Sequence, residues 1–408
     1  GVQVLLRDAH GRIQGSYLNG KFDHRPVPGK DLTLSLDIQL QALGERLMRG
    51  KIGSIVAIDP STGEVLCMVS SPTYDPRIMV GHERSKNHVL LSTNVWKPLL
   101  NRSIMGQYPP GSTFKPTQAL TYLQEGIISP YTSFPCHHGF YYKGLHVGCH
   151  GHASPLTLIP ALGTSCNSYF CWGLYHMMSN RSKYKNVQMA MTTWRDYMVS
   201  MGMGYKLGID LPGEKRGLIP NANFYDKAYN GSWNGLTVIS IAIGQGEVTE
   251  TPLQIANLCA TIANRGYYYT PHVVRKVKGE SLDTLYSHRH YTKVDARNYN
   301  VVVAGMRDAV IHGTCRAANR PDYMVCGKTG TAQNRGQDHS VFMGFAPMIK
   351  PRIAVAVYVE NGGHGAVYGV PIGSLIMEQY INGKLSERSM KEVEIFQNKH
   401  IAYGSGNR

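Results

Sequence analysis

No stretch of about 18 consecutive apolar residues occurs in the 408 residues, so no segment is expected to cross a membrane as a helix. No secretory leader pattern opens the chain. There is no internal repeat and no low-complexity tract. Lysine and arginine are scattered, and neither a basic helix nor an aromatic stacking motif is present, so nucleic acid is not the expected partner. The net charge of +15 instead suits anionic surroundings, an acidic polymer or a membrane surface, or serves solubility alone. Gly244-Gln245-Gly246 lacks the third glycine of a dinucleotide loop and follows no clear βαβ unit, which argues against a nucleotide cofactor there. What remains is an ordinary globular composition, 42% hydrophobic and 17% charged, long enough for one large domain with an appendage.

Residues 1 to about 30 are polar and broken by Gly and Pro, and read as an extended appendage or linker. Leu32, Leu34 and Leu36 alternate like a strand. Asp37 is placed to cap a helix whose Leu40, Leu43 and Leu47 share one face, with Gly50 ending it. Two apolar runs, 54–58 and 65–70, flank Asp59-Pro60-Ser61-Thr62-Gly63-Glu64 and predict an antiparallel hairpin. Residues 155–215 read as mostly helical. Thr251-Pro252-Leu253-Gln254 is a capping box with proline at the first helical position, opening a helix that runs to Gly266. Residues 340–345 and 353–359 are strand-like, and a helix is expected over 372–380. Strands at both ends with helices between them predict an α/β (α+β) fold around a mainly antiparallel sheet.

Three short motifs carry the chemistry. In Tyr108-Pro109-Pro110-Gly111-Ser112-Thr113-Phe114-Lys115-Pro116, a helix beginning at Ser112 brings Lys115 over the serine hydroxyl, since i and i+3 share a face. A lysine stripped of water beside other cations has a lowered pKa and can take the serine proton. Ser165-Cys166-Asn167 follows 53 positions after Ser112, and Lys328-Thr329-Gly330-Thr331 comes near the C-terminal end. Each alone is a weak signal: a capping serine, a turn asparagine or a strand end. Their joint order makes up the signature of serine acyltransferases that recognise penicillin.

On these motifs the chain resembles the transpeptidase domain of class B penicillin-binding proteins, most closely the elongation-type branch, penicillin-binding protein 2. Asn101-Arg102-Ser103, residues 208–214, Gly244-Gln245-Gly246 and residues 251–254 extend the resemblance over about 31–385. It implies a sheet with helices on both faces plus a helical subdomain, and a division into a pedestal remnant or linker (1–30), a transpeptidase domain (31–390) and a polar C-terminal tail (391–408). The abrupt start at Gly1 is expected to be a soluble piece of a longer, membrane-anchored envelope protein. Ser112 is implied to attack the D-Ala-D-Ala end of a peptidoglycan stem peptide, Lys115 to take its proton, and Ser165 to relay a proton to the leaving amine. Asn167 would hold Lys115 and the substrate amide. Lys328, Thr329 and Thr331 would bind the terminal carboxylate, and Gly330 would leave room for the substrate backbone. The N–H groups of Ser112 and Thr331 would form the oxyanion hole. β-Lactam antibiotics would acylate Ser112, and a membrane glycosyltransferase of the elongation machinery would be the partner. A division-type transpeptidase is the main alternative; a β-lactamase and a β-lactam sensor are more remote.

One segment departs from ordinary composition. Residues 136–152 hold five histidines and two cysteines within 17 positions. Cys136, Cys149 and His152, with Cys166 as a fourth, suit a tetrahedral zinc. A Cys136–Cys149 disulfide and free thiols beside solvated histidines are the other readings, and no cofactor is required by the chemistry. Cys67, Cys259 and Cys326 sit in apolar runs and read as core residues.

Overall fold

The computed structural model describes residues 1–334 and 336–403. A five-stranded sheet is built from β1 (Gly53–Ile58), β2 (Val65–Ser71), β3 (Cys326–Ala332), β4 (His339–Ala346) and β5 (Ile353–Val359). Its spatial order is β3-β4-β5-β1-β2, and every neighbouring pair is antiparallel. Six helices position the rest: α1 (Ile38–Leu47), α2 (Lys115–Gln124), α3 (Asn167–Ser179), α4 (Pro252–Ala263), α5 (Gly369–Asn382) and α6 (Glu387–Asn398).

β5 is buried at all seven positions, as expected of a central strand covered on both faces. Ile353, Val355, Val357 and Val359 join one core cluster with Leu40, Leu43 and Leu47 of α1 and Ile372, Leu375 and Ile376 of α5. The intervening Ala354 and Ala356 point the other way, and their small side chains let α4, buried along its whole length, lie against the sheet. The Asp37 cap forms, its carboxylate accepting from the N–H groups of Gln39 and Leu40. So does the Thr251–Gln254 capping box. Between the strands, α2, α3 and the helices Leu158–Gly163 and Val187–Ser200 make up the helical part. Trp194 anchors it by donating to Gln118 of α2 at 2.9 Å.

Two boundaries differ from expectation. Residues 391–398 are not a polar tail but continue α6, whose Val393 and Phe396 enter the sheet core. Val393 and Phe396 lie three apart among charged residues and two further apolar ones, Met390 and Ile395, which hides the amphipathic face. The smaller of the two compact units comprises residues 1–34 together with 274–282. Its strands pair Leu5–Arg7 with Ile13–Ser16, and Leu32–Leu34 with Val274–Val277. The expected strand at Leu32 stops at Leu34 and is exposed throughout, paired with a segment some 240 residues away. No described helix is long and apolar enough to cross a membrane.

Candidate active site

Ser112 lies in a 3-10 turn, Gly111–Phe114, that runs directly into α2, with Pro116 in the helix's first turn where its missing N–H is not needed. The turn is pinned from below: the Gly111 N–H donates to Gly244 O at 2.9 Å. Gly111 adopts a φ of +57°, and a Cβ there would stand 2.9 Å from Thr331 O. Only glycine satisfies both demands, and the nucleophile turn is thereby pressed against β3.

Behind Ser112, two fully buried amines converge on one hydroxyl. Lys115 Nζ donates to Ser165 O at 2.5 Å, Asn167 Oδ1 at 2.6 Å and Ser165 Oγ at 3.1 Å. Lys328 Nζ donates to the same Ser165 Oγ at 2.7 Å and to Thr329 O at 3.1 Å. Both lysines are 0% exposed. Burial lowers the Lys115 pKa to about 8. Burial and then the Lys115 charge hold Lys328 well below the ordinary lysine value. Two cations cannot share this space cheaply, so one amine gives up its proton and becomes a competent base. Ser165 occupies a left-handed conformation, φ +62°, an uncommon state for a residue with a side chain and one that aims its hydroxyl between the two amines. Among the described residues no hydrogen bond joins Lys115 Nζ to Ser112; the amine is held by the Ser-x-Asn motif, and Ser112 faces an open cleft of about 400 Å³.

β3 forms one edge of the sheet, so one side of it is free to receive an added strand. Gln245 Nε2 donates to Thr331 O at 3.4 Å from outside the sheet. In an antiparallel strand a residue's N–H and C=O point to the same side, so the Thr331 N–H also faces the cleft. Thr329 and Thr331 both line the cleft, whereas Lys328 is buried beneath it. Gly330 also has a structural reason to be small: a Cβ there would lie 2.9 Å from Pro110 O and 3.2 Å from Thr113 Cγ2, so the missing side chain makes room for the nucleophile turn.

The His-rich segment forms a hairpin, Gly139–Tyr142 with Leu145–Gly148, whose turn residues Lys143 and Gly144 both have positive φ. Its base brings Cys136, Cys149, His152 and Cys166 together, with one ligand atom from each within 4.8 Å of the others. All eight cysteines are free thiols, so the Cys136–Cys149 disulfide does not form. Cys149 Sγ is occupied otherwise: it lies 3.3 Å from His152 Nε2 and accepts from Asn167 N at 3.2 Å. The hydrogen bond from Cys166 favours the Cys149 thiolate most, ahead of the His150, Asn167 and His152 contacts. Three thiols and one imidazole, two of them buried, fit a tetrahedral soft-metal centre. The cluster joins the catalytic motif directly, since Cys166 lies between Ser165 and Asn167 and Asn167 Nδ2 donates to Gly148 O at 2.7 Å.

Sequence reasoning missed other participants. Thr314 Oγ1 lies 2.6 Å from Thr329 Oγ1, fixing that hydroxyl at the cleft wall. His150, Gln333, Asp338 and His364 also line the cleft. Glu360 accepts from Tyr108 OH at 2.9 Å and from buried Arg102 Nε at 3.2 Å, tying the approach to the nucleophile turn to the end of β5. Tyr108 stacks on Tyr358 with ring centroids 4.3 Å apart. Arg102 and Tyr108 stood in quoted motifs without a role; Glu360 gave no local signal, because its partners are about 250 residues away.

Residues 53–378 match the family model described as the penicillin binding protein transpeptidase domain. The peptidoglycan D,D-transpeptidase MrdA of Acinetobacter baumannii is 36% identical over 393 residues, covering 90% of this chain and 55% of that protein. Pseudomonas aeruginosa PBP2, solved in complex with WCK 5153, is similar with a TM-score of 0.76 at 33% identity, over 89% of this chain and 82% of that one. A structure concerned with the coordination of polymerization and crosslinking by a peptidoglycan synthase complex matches with a TM-score of 0.77 at 29% identity, over 94% of this chain and 67% of that one. The chain spans little more than half the length of the curated relative it matches, 55%.

Proposed function

The chain belongs to the penicillin-binding protein transpeptidase domain family, and from that premise we propose that it is the catalytic part of an elongation-type peptidoglycan D,D-transpeptidase. The observation that carries the reading is the meeting of two buried amines on Ser165 Oγ beside a cleft along an open strand edge. The stem peptide lies along β3 as an added strand, its terminal carboxylate toward Thr329 and Lys328. Ser112 Oγ attacks the carbonyl of the penultimate D-Ala, and Lys115 takes its proton. The Ser112 and Thr331 N–H groups receive the developing oxyanion, each such donor lowering the barrier by roughly 3–4 kcal/mol. The C–N bond breaks, and Ser165 passes a proton to the departing D-Ala amine. The acyl-enzyme is then attacked by the side-chain amine of a second stem, which forms the cross-link and regenerates Ser112. A β-lactam enters by the same acylation and remains as an acyl-Ser112.

The full-length protein works at the cell envelope, anchored to the cytoplasmic membrane beside a membrane glycosyltransferase. The match to a peptidoglycan synthase complex supports that pairing. Cys136, Cys149, His152 and Cys166 hold a structural zinc, which supplies no chemistry to the acyl transfer but fixes the backbone around Ser165 and Asn167. Protein purified without chelator is expected to contain one zinc per chain by elemental mass spectrometry, lost together with thermal stability in Cys149→Ser; metal-free protein of equal stability would overturn the assignment. The transpeptidase reading is tested by mixing the chain with a stem pentapeptide and an amine acceptor. D-Ala release with a cross-linked dimer supports it, whereas rapid β-lactam hydrolysis without dimer would mark a β-lactamase.

A further inference from the structure

The proposed reaction joins two copies of one stem peptide, and the acceptor attacks with a side-chain amine. The donor therefore carries the same amine on its third residue, directly before D-Ala-D-Ala, and at neutral pH that amine is a cation. The cleft must house it at every turnover. Its surroundings disfavour positive charge: Lys115 and Lys328 lie beneath the floor, and the chain as a whole carries +15. Among the described residues that line the cleft, Asp338 is the one carboxylate.

Its place along the strand is the telling feature. Ala332 pairs with His339, so Asp338 stands one position beyond the ladder, opposite Gln333. A donor whose carboxylate sits at Thr329 runs its earlier residues toward Gln333, four positions away, or about 13 Å at strand spacing. Two peptide residues cover about 7 Å of this. Asp338 extends β4, so it stands across β3 from the added strand, two strand spacings or about 10 Å away. An extended four-carbon side chain of about 6 Å, the aspartate side chain and a hydrogen bond of about 3 Å together span that gap, and Asp338 lines the same cleft.

The carboxylate is carried on fixed backbone: Asp338 O accepts from Gly363 N at 2.8 Å, and the Asn361 N–H donates to His339 Nδ1 at 3.0 Å. The residue is half-buried, and no hydrogen bond or ion pair among the described residues engages its side chain. We infer that Asp338 binds the side-chain ammonium of the donor's third residue and selects stems in which that amine is free. The acceptor's amine is the poorer occupant, because it must reach the Ser112 ester, and the nucleophile turn abuts Thr331, two residues short of Gln333.

This inference rests on the transpeptidase reading, and the test separates the two. Two penicillins are prepared with the same stem-like side chain, one ending in a primary amine and the other in its acetamide. Their second-order rate constants for acylation are measured by intact mass on the native chain, on Asp338→Asn, and on Asp196→Asn, a half-buried acid elsewhere that pairs with Lys293. The native chain and Asp196→Asn are expected to favour the amine about tenfold, the scale of a charge-assisted contact. Asp338→Asn is expected to bring the ratio close to one. Because the ratio is taken within each variant, partial misfolding cancels. A native ratio near one, or a tenfold ratio that survives in Asp338→Asn, would overturn the inference. Failure of the native chain to be acylated by either compound would remove the transpeptidase reading and the inference with it.

Discussion

The buried Lys115 amine makes acylation by a penicillin steeply dependent on pH. With its pKa lowered to about 8 by desolvation, roughly one molecule in ten has the neutral amine at pH 7. An ordinary lysine would offer about one in 3,000, so burial raises the supply of base about 300-fold. Only the unprotonated amine accepts the Ser112 proton. The second-order rate of acylation should therefore climb about tenfold per pH unit below 8 and level off above it. The penicillin carboxylate stays ionised over this range and adds no slope of its own. The thiols near Lys115 act in the opposite direction to burial. Lys115→Arg keeps a cation in a similar volume but cannot supply a base, and should lower the rate about 10³-fold. Stopped-flow or quenched-flow acylation between pH 5.5 and 9.5, on native and variant protein, reads both effects. A rate independent of pH between 6 and 8, or a Lys115→Arg rate within tenfold of native, would refute the assignment of Lys115 as base.

Glu360→Ala leaves Arg102 as an unpaired buried cation and frees Tyr108, so urea unfolding should register a loss of about 3–5 kcal/mol. Replacing Arg102 and Glu360 together by Met and Leu should cost less than Glu360→Ala alone. Glu250 is fully buried and, among the described residues, neither carboxylate oxygen has a hydrogen-bond partner; burial raises its pKa to about 8. The folded state therefore holds this proton more tightly than the unfolded one, and stability falls as pH rises from about 4.5 to 8, by up to about 5 kcal/mol. Glu250→Gln should remove that fall, raising Tm at pH 8.5 while changing it little at pH 4.5; equal shifts at both pH values would contradict the buried-acid account.

The extent to which the fold was legible follows from how local each cause is. Asp37 and the Thr251–Gln254 box act within one turn of helix, and both caps form where the residues predicted them. The hairpin of β1 and β2 was equally plain, because its loop and its apolar runs are contiguous. α6 was hidden because its apolar residues are interspersed with charges, and only the sheet core that Val393 and Phe396 enter reveals the buried face. In the site, Ser112, Lys115, Ser165, Asn167, Lys328, Thr329 and Thr331 were named from motif order, and the structure brings them around one cleft. The contact of Gly330 with the nucleophile turn was not legible, since nothing in a sequence tells which side of a strand presses on Pro110. Thr314 and Glu360 were invisible for the same reason: each acts on residues that only the folded sheet makes its neighbours, and only the fold brings Asp338 to the cleft.

The central claim is that Ser112 is the acylated nucleophile and that the acyl-enzyme outlives its formation. Intact-mass spectrometry after incubation with a penicillin tests it directly, beside a Ser112→Ala control. The account predicts a stable increase equal to the mass of the whole drug on the native chain and none on the variant. An adduct that persists in Ser112→Ala, or one that disappears quickly as hydrolysed drug accumulates, would contradict it.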